Sequence, residues 1–165
     1  MASGRRSSHY TLVDLRNLCI PATPEIKKAL ALILATSIGP DGGINPSKDI
    51  EQSDVCINGM FLNYGCYFGT DEEKLRSVVD FIVSQQLADG GFNCRLNRSG
   101  ARHSSMHSTI SVLEGIREYI AAGYTFRAED HHPGEVHFQM EQAGKPSRWN
   151  TLRCLRVLEY YDRDA

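Results

Sequence analysis

The feature that most constrains the fold is a short run of turn residues that occurs twice. Asp-Gly-Gly-Ile at residues 41–44 and Asp-Gly-Gly-Phe at residues 89–92 lie 48 positions apart, and each follows an amphipathic segment and precedes an apolar one. Paired glycines accept positive φ and favour tight turns. One copy predicts only a turn, whereas two copies at matched positions indicate a structural repeat. The predicted unit is an outer helix, a glycine turn and an inner helix.

Two segments have the periodicity of amphipathic outer helices. Residues 22–39 predict a helix with Thr23 as N-cap, Pro24 at the first helical position and Gly39 as the stop. Its inward stripe consists of Ile26, Leu30, Ile33 and Leu34. Residues 71–87 predict a second outer helix, because charged positions lie opposite one apolar stripe. That stripe consists of Leu75, Val78, Val79, Ile82 and Val83.

Other segments differ from these in how their apolar residues are distributed. Residues 54–68 and 105–121 are apolar on nearly all sides, which is typical of buried helices. Residues 147–161 predict a half-buried closing helix, with Ser147 as its N-cap. β signals are weak, because no hairpin dipeptide lies between alternating β-branched runs. The fold class is therefore predicted to be all-α, with six or seven helices.

Length and charge restrict the classes of protein to consider. A chain of 165 residues predicts a single domain over 1–165. The net charge is only -2, so a nucleic-acid partner is not expected. No apolar window is long enough to predict a membrane span or a signal peptide, and we expect a cytoplasmic protein. The five cysteines are an odd number without framework spacing, which favours buried thiols or metal ligands over disulfides.

The second turn carries a resemblance to a known superfamily. In the stretch SQQLADGGFNC, residues 84–94, Gln86 precedes the Asp-Gly-Gly-Phe run by three residues. This stretch resembles the glutamine-to-aromatic repeat motif of the squalene cyclase and protein prenyltransferase superfamily, although Phe92 stands where cyclases usually carry Trp. The resemblance covers roughly residues 23–119 at the level of repeat architecture. It implies an α/α toroid, in which outer helices surround inner helices around an apolar cavity.

The resemblance also implies a metal site. Protein prenyltransferase β subunits have Asp-x-Cys after one Gly-Gly turn and His after the next, and the three residues bind zinc. The matching residues here are Asp54, Cys56 and His107. If the second loop is three residues longer than the first, Cys56 and His107 occupy equivalent positions on successive inner helices. Such a zinc ion keeps an open fourth position for water or a substrate thiol.

The function implied by the resemblance is that of a prenyltransferase-like or terpene-cyclase-like protein that binds an isoprenoid or another apolar ligand. The Asp-x-Asp-Asp acid of squalene-hopene-type cyclases does not occur in the sequence. Six or seven helices are too few to close a toroid, so we expect an incomplete arc that forms a homodimer or is completed by a partner. The alternative is a non-catalytic helical-repeat interaction module. In that case Asp54 is a helix cap, and Cys56 and His107 are ordinary core residues.

Glu114 is a further candidate catalytic residue beside Asp54 and His107. It follows His107 by seven positions on the same face of an apolar helix, where a carboxylate is costly without a partner. One interpretation is a general acid or base, as in metal-assisted hydrolysis, or a group that orients a metal ligand. The other is an ion pair to Arg117 or Arg153.

Four other residues are candidates for lining a ligand cavity. Asn58 and Ser111 lie one turn after Asp54 and His107 on the two apolar helices. Arg148 and Trp149 open the closing helix, where they either face a ligand or pack in the usual way. The histidine-rich run at residues 130–137 has no helical metal-binding spacing and predicts an exposed loop.

Overall fold

The computed structural model describes residues 3–47 and 51–124 of the chain. The chain divides into two compact units, Met1–Ala122 and Gly123–Ala165, and the helices described below belong to the first. The predicted closing helix from Ser147 lies outside the described residues, so the count of six or seven helices and the single domain over 1–165 stay predictions.

The described part of the chain is helical. Its elements are α1 (Ser3–Asn17), α2 (Pro24–Ser37), α3 (Val55–Tyr67), α4 (Glu72–Ser84), the short α5 (Leu96–Ser99) and α6 (Met106–Ala121). Residues 3–47 and 51–124 contain no β-strand, and Ile38 and Ile44 form an isolated antiparallel bridge. The all-α class is therefore confirmed for these residues. No helix within the same ranges is long and apolar enough to cross a bilayer.

The two predicted outer helices form as their sequences indicate. The Thr23 hydroxyl accepts a hydrogen bond from the Ile26 N–H at 3.3 Å, and Pro24 is the first residue of α2. Pro at this position leaves no helical hydrogen bond unmade. In α4, the buried residues are Leu75, Val78, Val79, Phe81 and Ile82. This set contains four of the five predicted stripe residues, since Val83 is only half-buried.

The helix α1 was not predicted from its polar sequence. Leu12 is buried in it, and so is His9, whose Nδ1 lies 2.6 Å from the Tyr64 hydroxyl oxygen. This pair joins α1 to α3, and burial lowers the pKa of His9 to about 4. The hydrophobic stripe of α1 is short, and the buried His9 imidazole supplies part of the contact between α1 and α3.

The helix α3 is the centre of the described fold. Every residue from Val55 to Cys66 is buried except Met60, as predicted for a helix that is apolar on all sides. It packs against α1, α4 and, most extensively, α6.

The contact between α3 and α6 depends on two glycines. A Cβ atom added to Gly59 would lie 2.5 Å from the backbone oxygen of Ser111, and one added to Gly115 would lie 2.5 Å from the backbone oxygen of Gly59. Real Cβ atoms do not approach backbone so closely, so only glycine permits this separation between the helices. Gly115 also faces Leu62, three residues after Gly59. Residue numbers at the contact therefore increase in the same direction along both helices, so α3 and α6 run parallel.

The helix α6 corrects the prediction of a second fully buried helix. Its buried residues are Ser108, Ser111, Val112, Gly115, Ile116 and Tyr119. Ser111, Val112 and Gly115 lie against α3. Its exposed residues are Met106, His107, Ile110, Glu114, Arg117 and Ala121. Met106 is 80% exposed and Ile110 is 47% exposed. The sequence has apolar residues on both faces, but within the described residues only one face is covered.

The first glycine turn is organised by the Asp41 carboxylate. It accepts hydrogen bonds from the N–H and the hydroxyl of Ser53, both at 2.7 Å, and from the Gly43 N–H at 3.2 Å. The Asn58 side chain on α3 holds the end of the turn. It accepts a bond from the Ile44 N–H at 2.6 Å and donates one to the Ile44 carbonyl at 3.2 Å.

The second turn has the same bonding pattern. The Asp89 carboxylate accepts hydrogen bonds from the N–H groups of Ser104 at 2.8 Å and Gly91 at 3.4 Å. The Thr109 hydroxyl on α6 accepts a bond from the Phe92 N–H at 3.0 Å and donates one to the Phe92 carbonyl at 3.3 Å. Thr109 thus does for Phe92 what Asn58 does for Ile44.

The number of positions that separates equivalent residues of the two repeats is larger for the inner helices than for the turns. The turns lie 48 positions apart, whereas the first residues of the inner helices, Val55 and Met106, lie 51 positions apart. The second loop is therefore three residues longer, which is the condition under which Cys56 and His107 occupy equivalent positions. In both turns the first glycine has a positive φ, 80° at Gly42 and 88° at Gly90. The described chain repeats the order of outer helix, turn and inner helix.

A polar network lies at the opposite end of α3 from the turns. Arg16 of α1 forms an ion pair with Glu118 of α6. The Tyr119 hydroxyl donates a hydrogen bond to the Glu72 carboxylate at 3.2 Å, and Glu72 also accepts one from Arg76 at 3.3 Å. Burial, together with the Glu72 carboxylate, raises the pKa of Tyr119. These contacts connect α6 to α1 and to α4.

Candidate functional site at the head of α3

Asp54 lies at the N-cap position of α3, as predicted. Its backbone has the extended conformation of a cap residue, but its side chain makes no capping hydrogen bond. Its carbonyl oxygen accepts bonds from the Asn58 N–H at 3.2 Å and from the Asn58 side-chain amide at 3.0 Å. Asp54 therefore occupies the cap position, and its backbone carbonyl binds Asn58.

Cys56 is buried in the first turn of α3. Burial is the main cause that raises the pKa of its thiol to about 12, and the nearby Cys94 thiol and Asp54 carboxylate contribute to this rise. At neutral pH the group is therefore a thiol. A thiolate is the form that ligates zinc or attacks an electrophile, so Cys56 takes either role only after a base has removed its proton.

The partner that the structure gives to Cys56 is Cys94. Cys94 follows the second turn by two residues and is half-buried. It is held by Ser108 in the first turn of α6, whose hydroxyl accepts a hydrogen bond from the Cys94 N–H at 3.1 Å and donates one to the Cys94 sulfur at 3.3 Å. Ser105 caps the same helix by accepting a bond from the Ser108 N–H at 3.5 Å.

His107 has the predicted register but not the predicted surroundings. It is the second residue of α6, as Cys56 is the second residue of α3. Its side chain is exposed, whereas that of Cys56 is buried. Across residues 3–47 and 51–124 no three His, Cys, Asp or Glu side chains are grouped so that they could hold a metal ion. Asp54, Cys56 and His107, as placed, do not fit a shared zinc ion, and zinc binding stays a prediction.

Glu114 lies on the open face of α6 and is exposed. Within residues 3–47 and 51–124, the apolar surroundings predicted for its carboxylate are not found, because Glu114 is on the side of α6 opposite α3. A partner is therefore not required to offset burial. The suggested ion pair with Arg153 falls outside the described residues.

The predicted cavity-lining residues have different positions. Asn58 is fully buried, and its amide is engaged by Ile44 and by the Asp54 carbonyl. Ser111 is buried where α6 meets Gly59. Arg148 and Trp149 lie outside the described residues, as does the histidine-rich run at 130–137.

Sequence reasoning missed Cys94 and Ser108. The sequence alone does not show this grouping, because it depends on which residues of α3 and α6 meet. Gly59 meets Ser111, and one turn earlier these helices carry Cys56 and Ser108. No family model, curated protein or solved structure matches the chain.

Proposed function

We propose that this chain is a non-catalytic helical-repeat interaction module, and that α6 presents its exposed face to a partner helix. The observation that carries the proposal is the apolar part of that face, formed by Met106 and Ile110. Both side chains stand on the side of α6 opposite its closest packing contact. Exposed apolar residues that cluster on one face are a common mark of a protein-binding surface.

The repeat identifies the chemistry of the partner. On α3, Gly59 and Leu62 contact α6. With the inner-helix offset of 51 positions, their equivalents on α6 are Ile110 and Leu113. The exposed face of α6 thus continues the surface by which α3 binds its neighbour. A fitting partner is a parallel helix with a stripe of small residues, like the stripe of α6 that faces α3.

A peptide of residues 104–122 is a direct probe, because it carries that small-residue stripe. We expect the labelled peptide to bind the full chain saturably in fluorescence anisotropy. Ile110→Glu should weaken binding at least about tenfold, since burying an Ile side chain is worth about 1.5–3 kcal/mol. Leu32→Glu is the matched control, because Leu32 is 62% exposed on α2. Absence of saturable binding, or equal weakening by both variants, would contradict the proposal.

The second candidate is a prenyltransferase-like or terpene-cyclase-like protein that binds an isoprenoid or another apolar ligand. The shared bonding of the two turns favours it, because outer helix, turn and parallel inner helix form the repeat that the toroid resemblance implies. Under this candidate, a second copy of the chain or a partner protein completes the toroid. This candidate does not include a zinc ion, since Asp54, Cys56 and His107 do not converge on one point.

Metal content and ligand binding separate the two candidates. The second candidate predicts that farnesol raises the thermal unfolding midpoint of the full chain, because a ligand that binds the folded state stabilises it. Stoichiometric zinc that disappears in Cys56→Ala and His107→Ala would restore the metal prediction. A chain that contains no zinc and whose unfolding midpoint does not respond to farnesol would count against this candidate and leave the interaction module.

A further inference from the structure

Two thiols from different parts of the repeat converge at the head of α3. Cys56 is in the first turn of that helix, and Cys94 is in the segment after the second turn. The Ser108 hydroxyl on α6 makes two hydrogen bonds with Cys94. It accepts one from the Cys94 N–H and donates one to the Cys94 sulfur. Cys94 is therefore held by two contacts with a buried side chain, one to its backbone N–H and one to its sulfur.

The helix register places Cys56 beside this sulfur. Gly59 lies against the backbone of Ser111, and α3 runs parallel to α6, so the preceding turns bring Cys56 opposite Ser108. The Ser108 hydroxyl is 3.3 Å from the Cys94 sulfur. In agreement with this register, the Cys94 thiol is in hydrogen-bonding contact with the Cys56 thiol and contributes to the raised pKa of Cys56.

We propose that Cys56 and Cys94 are a peroxide-sensitive pair that forms an intramolecular disulfide. Cys94 is the more exposed of the two thiols and reacts first. Its thiolate attacks one oxygen of hydrogen peroxide, the O–O bond breaks, and sulfenic acid and hydroxide form. That hydroxide removes the proton of the Cys56 thiol, and the resulting thiolate attacks the Cys94 sulfur and displaces a second hydroxide. The two thiol protons and the two hydroxides give two waters, so two thiols and one peroxide yield one disulfide.

The other described cysteines lack this arrangement. Cys19 is exposed in the segment after α1, and Cys66 is buried ten positions beyond Cys56 in α3. A separation of ten residues in a helix corresponds to roughly 15 Å along its axis. In the reducing cytoplasm that we expect for this chain, both members of the pair are thiols until an oxidant arrives. The cross-link would tie the head of α3 to the second repeat, independently of the proposed interaction function.

Peptide mapping of the full chain tests the pair directly. The folded protein is treated with hydrogen peroxide, remaining thiols are alkylated, and a digest is analysed by mass spectrometry without reduction. We expect one dominant cross-linked species that joins the peptides of Cys56 and Cys94 and lacks two hydrogens. Cys19→Ser and Cys66→Ser should retain it, whereas Cys56→Ser and Cys94→Ser should lose it.

A second measurement tests the order of the steps. In Cys56→Ser no resolving thiol is left, so dimedone should label Cys94 as sulfenic acid. The oxidised wild type should also have a higher thermal unfolding midpoint than the reduced form, because the link constrains the unfolded chain. A dominant disulfide that contains Cys19, Cys66 or Cys154, or peroxide-treated protein with native circular dichroism and no cross-link, would overturn the proposal. Cys94 that is unlabelled in Cys56→Ser would overturn the order of attack.

Discussion

Replacing Gly59 with Ala should destabilise the protein by about 2–3 kcal/mol, in the range of overpacked cores. The added Cβ would lie 2.5 Å from the Ser111 carbonyl oxygen and 2.7 Å from the Val112 nitrogen. Both are backbone atoms of α6, and a helix backbone cannot move aside as a side chain can. The helices must therefore separate along their most extensive contact. The free energy of unfolding in urea, followed by far-UV circular dichroism, measures the loss.

Gly65→Ala is the matched control, because Gly65 is in the same helix and is also buried. Its nearest neighbour would be the Leu75 Cδ2 atom at 3.2 Å, the end of a flexible side chain. Ala also has the better helix propensity, which offsets a small rearrangement. We expect the control to stay within about 1 kcal/mol of the wild type. Equal losses in the two variants would mean that glycine flexibility, and not the close approach of α3 and α6, sets the effect.

The elements that the sequence predicts well are those determined by neighbouring residues. Thr23 and Pro24 fix the start of α2 through one hydroxyl and one ring, and both are read directly from the chain. Each turn is similar in one respect, because its aspartate carboxylate accepts a hydrogen bond from the glycine N–H two residues later. Local chemistry of this kind needs no knowledge of the tertiary contacts.

The errors concern which surfaces are covered. α6 has apolar residues on all sides in the sequence, but Met106 and Ile110 are exposed because the neighbour that an apolar face requires is not among the described residues. α1 shows the reverse case, since its polar sequence concealed a helix that buries His9 against Tyr64. Hydrophobic periodicity identifies a face, and tertiary packing decides whether that face is covered.

The candidate site shows the same division. The equivalence of Cys56 and His107 follows from the repeat, and the helices α3 and α6 begin 51 positions apart as it requires. Equivalent positions in two repeats do not make two side chains point at each other. Each inner helix directs that position towards the next element along the chain, so Cys56 and His107 point towards different neighbours. For Cys56 that neighbour is α6 and the segment of Cys94, whereas His107 is exposed. The thiol that contacts Cys56 is therefore Cys94, which lies in the segment after the second turn and not on α6.

Acid should weaken the attachment of α1 through His9. Its pKa is about 4 in the folded protein because burial disfavours the imidazolium, against 6.5 for an exposed histidine. Between these values the unfolded chain binds a proton that the folded chain does not, so stability falls as the pH drops from about 6.5 to about 4. Below about 4 both states are protonated, and the contribution changes no further. The full effect is about 3 kcal/mol, since each pKa unit corresponds to about 1.4 kcal/mol.

The His9→Gln variant isolates this contribution from carboxylate protonation, which affects wild type and variant alike. Removing the imidazole should lower stability at pH 7, because the contact with Tyr64 changes, and should make the free energy of unfolding less dependent on pH between 6.5 and 4. His107→Gln is the control, because it makes the same substitution at a side chain that is exposed in the folded protein. Urea unfolding at a series of pH values gives all three curves. If His9→Gln and wild type remain parallel from pH 6.5 to 4, His9 is not the group whose burial makes the contact between α1 and α3 sensitive to acid.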